Sequence, residues 1–206
     1  DIELPAELLA EDRLTLVCEG LDTFADIIVN DHRIACCDNM HRVWRIDLKP
    51  AVRAGRNHLV VRFRSVMPYI RERQSERELH GPTCVAHEPR GRSWVRKEHS
   101  NFGWDWGPVL VTCGIYRAIR IEATSQPRLH PPLVRQRHEQ DGVSLDVTAA
   151  VSDASTALRA RVGLAREGVV VADALVELDH DRGVAATLGV EQPELWWPNG
   201  LGDQPL

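Results

Sequence analysis

Apolar side chains recur at every second position along most of the chain, which is the period of a β-strand and not that of a helix. The alternation is clear at residues 14–18 and 59–64, where one face of each segment is apolar. Residues 115–121 repeat it, and we expect Ile119 and Ile121 to face inward while the charged residue after each faces outward. The first half of the chain is therefore predicted to form an antiparallel β-sandwich with an apolar interior.

In the first half, one further segment continues the strand pattern as an apolar run and another segment breaks it. The apolar run at residues 25–29 ends at Asn30-Asp31, a pair that favours a tight hairpin turn into residues 32–35. Residues 68–79 are rich in charge and carry only a thin apolar stripe. We therefore predict a short surface helix there, within a long connection between strands.

A module boundary is predicted near Gln126-Pro127, with Pro131-Pro132 close behind, because proline interrupts strand ladders. The predicted modules are residues 1–126 and residues 127–206. Short apolar alternations return in the second module, at a spacing typical of an immunoglobulin-like sandwich: residues 145–151, 158–164, 170–178 and 184–190. Because about five strands precede Leu206 where such a sandwich has about seven, we expect this module to be truncated at its C-terminal end.

Composition and charge narrow the class of protein. Of the 206 residues, 43% are apolar and 27% are charged, which is the balance of a globular protein. The formal net charge of −5 argues against nucleic acid as a partner, because nucleic-acid binding needs a clustered basic face. No apolar run approaches the roughly 20 residues of a membrane-spanning helix, so no membrane partner is expected. The five cysteines, with Cys36-Cys37 adjacent, make a poor disulfide framework and favour a reducing, cytoplasmic compartment.

No local pattern marks a catalytic, cofactor or metal site. Glycine-rich phosphate loops and the Gly-x-Ser-x-Gly motif are missing from the sequence, so no cofactor is predicted. Two groups of histidine and cysteine come closest to a zinc site but lack paired Cys-x-x-Cys spacing: His32, Cys36, Cys37 and His41 in one, and His80, Cys84 and His87 in the other. We therefore predict no metal site, and we assign no catalytic residue.

The densest group of side chains suited to a ligand lies at residues 96–108. Trp104 and Trp106 flank Asp105 there, and the glycines on either side are typical of a loop. Aromatic faces pack against the C–H surface of a pyranose, and a carboxylate accepts hydrogen bonds from its hydroxyls, so this combination indicates sugar binding. The alternative is a structural loop whose indoles plug the end of the sandwich while Asp105 caps a turn.

A second aromatic motif lies at residues 194–200. Its Pro198-Asn199-Gly200 sequence is typical of a turn. The adjacent Trp196 and Trp197 form either a contact surface or, as we favour, part of the packing within or between modules.

A series of short motifs follows in order along the chain: EGLDTFAD (19–26), N (30), DNM (38–40), GRNHL (55–59), FRS (63–65), FGWDWGP (102–108), GIYR (114–117) and LWWPNG (195–200). Each motif alone is a weak signal, and the ordered set is specific. The set resembles the motifs of β-mannosidases, in the glycoside hydrolase family that also contains β-galactosidases and β-glucuronidases.

The resemblance implies a jelly-roll (galactose-binding-like) module, an immunoglobulin-like module, and a (β/α)₈ barrel that carries both glutamates of a retaining mechanism. This chain would hold the jelly roll without its first strand, followed by part of the second module. It would be a non-catalytic N-terminal portion of a β-mannosidase, inactive alone. Its partners would be the barrel of the same polypeptide and the terminal β-D-mannose of a β-mannoside or manno-oligosaccharide. By the same resemblance, Asp105 would hydrogen-bond sugar hydroxyls and Trp104 would shape the pocket wall.

Other interpretations stay open. Cys36-Cys37 and Val43-Trp44 depart from the family's pattern, which is compatible with a related exo-β-glycosidase such as a β-glucosaminidase, or with a glycoprotein-linked mannoside as substrate. A free-standing carbohydrate-binding or adhesion module is a second hypothesis, and it requires complete sheets. A spacer without ligand contact is a third, and it requires Trp104 and Trp106 to be buried.

Overall fold

The computed structural model of the chain describes residues 1–81, 88–105, 107–140, 142–152, 158–178 and 183–205. Its regular structure is nearly all β, which confirms the class predicted from the two-residue alternation. The chain forms two compact units, Asp1–Ser125 and Gln126–Leu206. No helix in the described ranges is long and apolar enough to cross a membrane.

The first unit is a sandwich of two three-stranded antiparallel sheets. Its described strands are β1 (Ile2–Leu4), β2 (Arg13–Cys18), β3 (Leu21–Asp22), β4 (Phe24–Val29), β5 (His32–Cys37), β6 (Trp44–Asp47), β7 (Gly55–Asn57), β8 (Leu59–Arg64), β9 (Gly114–Ile115) and β10 (Ile119–Thr124). One sheet has the strand order β10-β2-β6 and the other β5-β4-β8, while β1-β7 and β3-β9 form short ladders. The helices are α1 (Ala6–Ala10) and α2 (Met67–Glu76), with single 3₁₀ turns at Lys49–Ala51, Arg92–Trp94 and His99–Phe102.

The core of this unit contains the apolar faces predicted from the alternation. Leu14 and Leu16 of β2 are buried in one cluster with Ile27 and Val29 of β4. Burying each such side chain stabilises the fold by roughly 1.5–3 kcal/mol relative to leaving it in water. This cluster is therefore the main force that holds the two sheets together.

Ile119 has the inward-facing parity predicted for it, but it is not buried. Ile121 packs against the core cluster as predicted, but Ile119 is exposed. Strand β10 is at the edge of its sheet, and Ile119 is its first residue, opposite Cys18 at the end of β2. The side chain is thus on the core side of the strand, but at this corner of the sheet few neighbouring residues cover it.

The hairpin and the helix predicted in the first half are both confirmed. Asn30 and Asp31 have φ angles of 46° and 68°, the two positive values that a tight turn between β4 and β5 requires. Helix α2 covers most of the charged segment, and its thin apolar stripe is represented by one fully buried side chain, Ile70.

A row of charges lies on the outer side of the β10-β2-β6 sheet. The carboxylate of Glu122 accepts hydrogen bonds from Arg45 on β6 and from Nε of Arg120 at 3.0 Å. Arg120 also pairs with Glu19. Burial raises the pKa of the Glu122 carboxyl, but the two guanidinium groups more than offset this effect, so its pKa lies below the usual value.

The second unit contains seven described strands where we expected about five. They are β11 (Arg128–Leu129), β12 (Leu133–Glu139), β13 (Gly142–Ala149), β14 (Val151–Ser152), β15 (Arg159–Arg166), β16 (Val169–Glu177) and β17 (Val184–Val190). The sheets are β12-β13-β17, β15-β16 and β11-β14. Every residue of β12 is exposed, because this strand pairs on one side only and covers no core, and so it carries no apolar alternation to predict it.

Candidate functional site

The predicted sugar-binding residues lie at the tip of a loop. The N–H of Gly107 donates to the carbonyl of Trp104 at 3.2 Å, and this bridge makes a tight turn with Asp105 at its corner. Trp104 is 41% exposed, and Asp105 is exposed as well. Within the part of the chain that the structure describes, Asp105 has no hydrogen-bond or ion-pair partner, so its carboxylate oxygens are available to a ligand. Trp106 lies outside the described residues.

A reversal of direction separates the exposed tip from the buried chain before it. Phe102 is fully buried, in a small cluster with Val66, Ile70 and Val95. Gly103 follows with a φ of 119°, a conformation that L side chains rarely adopt, and its N–H donates to the carbonyl of Ser100 at 3.1 Å. The glycine lets Phe102 anchor the loop inward while Trp104, two residues later, projects outward.

The incoming arm of this loop, residues 95–98, is attached to the connection between β5 and β6. Asn39 and Arg96 form a parallel bridge, and the N–H of Met40 donates to the carbonyl of Arg96 at 3.1 Å. The hydroxyl of Tyr116, which follows β9, donates to the carbonyl of Met40. The Asn39-Met40 motif therefore serves as a docking point for the loop's base.

The outgoing arm, residues 110–115, is fixed by β9 and by a buried charge. Strand β9 pairs with β3, and the N–H of Tyr116 donates to the carbonyl of Gly20 at 3.2 Å. The ammonium of Lys97, on the incoming arm, is fully buried and donates to the carboxylate of Asp22 and to the carbonyl of Thr112, the latter at 2.9 Å. Both arms are therefore held at the base while the tip reaches solvent.

Lys97 falls inside the motif at residues 96–108, but it is not one of the two site residues predicted from the sequence. Its one visible signal is rarity, since only two of the 25 basic residues are lysines. Unlike the planar guanidinium of arginine, the lysine ammonium is a compact charge with three donors.

An open groove of about 690 Å³ lies beside the incoming arm. Its lining includes His41, Glu98 and His99, which offer both hydrogen-bond donors and acceptors. Glu98 also accepts from the N–H of Ser100 at 3.4 Å, at the start of the 3₁₀ turn that leads to Phe102. The site can thus present an aromatic face, a carboxylate and a polar groove to a hydroxyl-rich ligand.

The two histidine and cysteine groups considered as zinc sites differ in how much of each the structure describes. Among the described residues, which include His32, Cys36, Cys37 and His41, there is no group of three or more side chains suited to hold a metal ion. Cys84 and His87 of the second candidate group lie outside the described residues.

The tryptophan pair near the end of the chain is exposed in its own unit. Trp196 and Trp197 are 58% and 46% exposed, so neither is part of a buried core in this unit. The predicted turn is confirmed, because the N–H of Leu201 donates to the carbonyl of Pro198 at 2.9 Å. At Gly202 a Cβ would lie 2.7 Å from Cδ1 of Trp197, so the indole position depends on this glycine.

Residues 1–117 match the family model described as the glycosyl hydrolase 2 galactose-binding domain-like family. The chain belongs to this family. Its first unit is accordingly a galactose-binding-like sandwich, as the ordered motifs implied.

Relatives with curated descriptions extend the likeness over both units. Beta-mannosidase B of Aspergillus niger is 30% identical over 208 residues, which cover 97% of this chain and 24% of that protein. Beta-mannosidase B of Aspergillus terreus is 33% identical over 202 residues, covering 96% and 23% respectively. The chain therefore spans about a quarter of the length of these relatives.

Solved structures agree on the fold. The crystal structure of beta-D-mannosidase from Dictyoglomus thermophilum aligns over 98% of this chain and 25% of that chain, with a TM-score of 0.79 and 25% identity. A beta-glucuronidase from an uncultured Clostridium sp. aligns over 96% of this chain and 29% of that chain, with a TM-score of 0.62. At 15% identity, the latter likeness shows the shared fold alone.

Proposed function

We propose that this chain is the non-catalytic, sugar-contacting part of a β-mannosidase that releases terminal non-reducing β-D-mannose with retention of configuration. The observation that carries the proposal is the exposed pair Trp104 and Asp105 at the tip of a loop whose base is fixed. The relatives described as beta-mannosidases support the choice of sugar.

Each residue of the pair has a distinct role in this proposal. The Asp105 carboxylate accepts hydrogen bonds from mannose hydroxyls, and such charge-assisted bonds are about twice as strong as neutral ones. The Trp104 ring forms a wall against the apolar face of the pyranose. The general acid and the nucleophile are supplied by a (β/α)₈ barrel of the same polypeptide, so the 206 residues alone are not expected to hydrolyse a mannoside.

Replacing Asp105 by alanine in the full-length enzyme tests the proposal. One lost hydrogen bond to a charged group is worth about 1.5–3 kcal/mol, so kcat/KM for an aryl β-mannoside should fall roughly 10- to 150-fold. The melting temperature should stay within about 1 °C of the wild type, because Asp105 has no partner among the described residues.

Glu72→Ala provides the matched control, since Glu72 is also an exposed carboxylate but lies on α2. It should change neither quantity. A structural role for Asp105 would give the opposite result, with a lower melting temperature and unchanged kinetics. A parallel assay compares the kcat/KM of the wild type for an aryl β-glucosaminide and for an aryl β-mannoside. A higher value for the glucosaminide would replace mannose by glucosamine in the proposal.

A further inference from the structure

Two basic side chains are buried among the described residues, Arg92 and Lys97, and the side chain of Lys97 has no exposed surface. Lysine is almost never fully buried unless it is paired, because removing an ammonium from water is costly. Here the ammonium is compensated by the buried carboxylate of Asp22 and by the carbonyl of Thr112. The hydroxyl of Thr23 donates to the second oxygen of Asp22, so both carboxylate oxygens have a partner.

These contacts join three separate stretches of chain at one nitrogen atom. Lys97 belongs to the incoming arm of the Trp104–Asp105 loop, and Thr112 belongs to the outgoing arm. Asp22 lies on β3, in the edge ladder that also contains Gly114 of β9. The ammonium therefore closes the base of the loop and fastens it to the sandwich.

We propose that Lys97 is a positioning residue for the loop that presents Trp104 and Asp105 to the sugar. The proposal rests on the proposed function, because it assigns a purpose to the rigidity of that loop. Displacements of about 1 Å at a substrate-contacting group reduce rates strongly, so a rigid base is what a binding tip requires. The lysine ammonium has three donors on one small centre, so it can satisfy a carboxylate and a carbonyl together.

The experiment compares three variants of the full-length enzyme with the wild type. Lys97→Met keeps the length of the side chain but removes the ammonium. Lys97→Met combined with Asp22→Asn removes both buried charges, which restores electrical balance without restoring the link to Thr112. Lys49→Met is the matched control, because Lys49 is the other lysine and its ammonium donates to the carbonyl of Glu11, away from the loop.

Three quantities are measured for each variant: amide hydrogen exchange in residues 98–111, melting temperature, and kcat/KM for an aryl β-mannoside. Lys97→Met should lower the melting temperature, accelerate exchange in the loop at least about tenfold, and reduce kcat/KM at least about tenfold. The double variant should recover most of the melting temperature, while loop exchange stays fast and kcat/KM stays low. Lys49→Met should leave loop exchange and kcat/KM at wild-type values.

The possible failures can be told apart. Loop exchange that stays at the wild-type rate in both Lys97 variants would overturn the proposal, whatever happens to activity. Recovery of all three quantities in the double variant would also overturn it, because Lys97 would then serve only to neutralise Asp22. Fast loop exchange with unchanged kcat/KM would show that Lys97 holds the loop but that the loop does not contact substrate, which refutes the proposed function itself.

Discussion

Asn57 offers a sharp test of how the first sandwich is held together, because its amide is buried and uses all of its hydrogen-bonding capacity. Nδ2 donates to the carbonyls of Arg53 and Gly55, at 2.7 and 2.9 Å. Oδ1 accepts from the backbone N–H of Arg53 at 3.0 Å and from Nδ2 of Asn30 at 2.9 Å. One side chain thus closes the turn that leads into β7 and connects this turn to the hairpin turn at Asn30.

Asn57→Asp is the informative change, because aspartate has the same shape but an ionised carboxylate cannot donate. Two carbonyls lose their donor and face a negative charge instead. A buried acceptor left without a partner costs about 1–3 kcal/mol, which gives about 2–6 kcal/mol for two. Since Arg53 is exposed and Gly55 only half-buried, water can reach these carbonyls in part, and we expect the lower half, about 2–4 kcal/mol. For a chain of this size, that lowers the melting temperature by roughly 4–16 °C.

Thermal unfolding followed by circular dichroism measures the effect at pH 7 and again at pH 4. The loss should be smaller at pH 4, because a protonated aspartate regains one donor. Arg56→Ala at the neighbouring position is the control, because the exposed ion pair of Arg56 with Asp1 contributes no more than about 1 kcal/mol to stability. If Asn57→Asp unfolds no earlier than Arg56→Ala at pH 7, the amide does not have the role deduced from its four bonds.

Two further predictions concern ionisable groups. Burial raises the pKa of the Cys18 thiol to about 11 and that of Cys37 to about 12, so at pH 8 iodoacetamide should label exposed Cys36 while sparing both, and equal labelling in the folded protein would contradict this. Because the pKa of Glu122 is lowered on folding, its contribution is present above the unfolded-state pKa and is lost as pH falls through the folded one. Glu122→Gln should therefore reduce the free energy of unfolding at pH 6 by at most about 1 kcal/mol, and by less at pH 3. The melting temperatures of the two proteins at each pH measure this difference, and a difference independent of pH would refute the linkage.

Features fixed by neighbouring residues were predictable from the sequence. The turn at Asn30-Asp31 follows from the tolerance of these two residue types for positive φ, which the structure shows at both positions. The strands β2 and β8 follow from apolar alternation and β4 from its apolar run, because side chains of each pack in the core. The exposure of Trp104 removes the spacer hypothesis in the form that required this residue to be buried.

Features fixed by distant residues were not predictable in this way. Strand β12 has no buried face, so its pairing with β13 specifies it more than its own sequence does. Ile119 shows that correct parity does not ensure burial when a strand begins at the corner of a sheet. The pair of Lys97 and Asp22 spans 75 positions, and nothing local to either residue specifies the other.

The loop at Trp104 shows why a binding site is harder to predict than a core. Phe102 and Trp104 are both aromatic, and alternation assigns them to the same face, yet one is fully buried and the other is 41% exposed. The difference arises at Gly103, whose positive φ turns the chain away from the sandwich. Core packing does not fix the position of an exposed indole, so other contacts of the loop have to fix it. Here Phe102 provides an apolar anchor below the tip, and the ammonium of Lys97 fixes both arms to Asp22 and Thr112. We infer that the directed hydrogen bonds from this buried charge select one arrangement of the two arms, which apolar packing specifies less strictly.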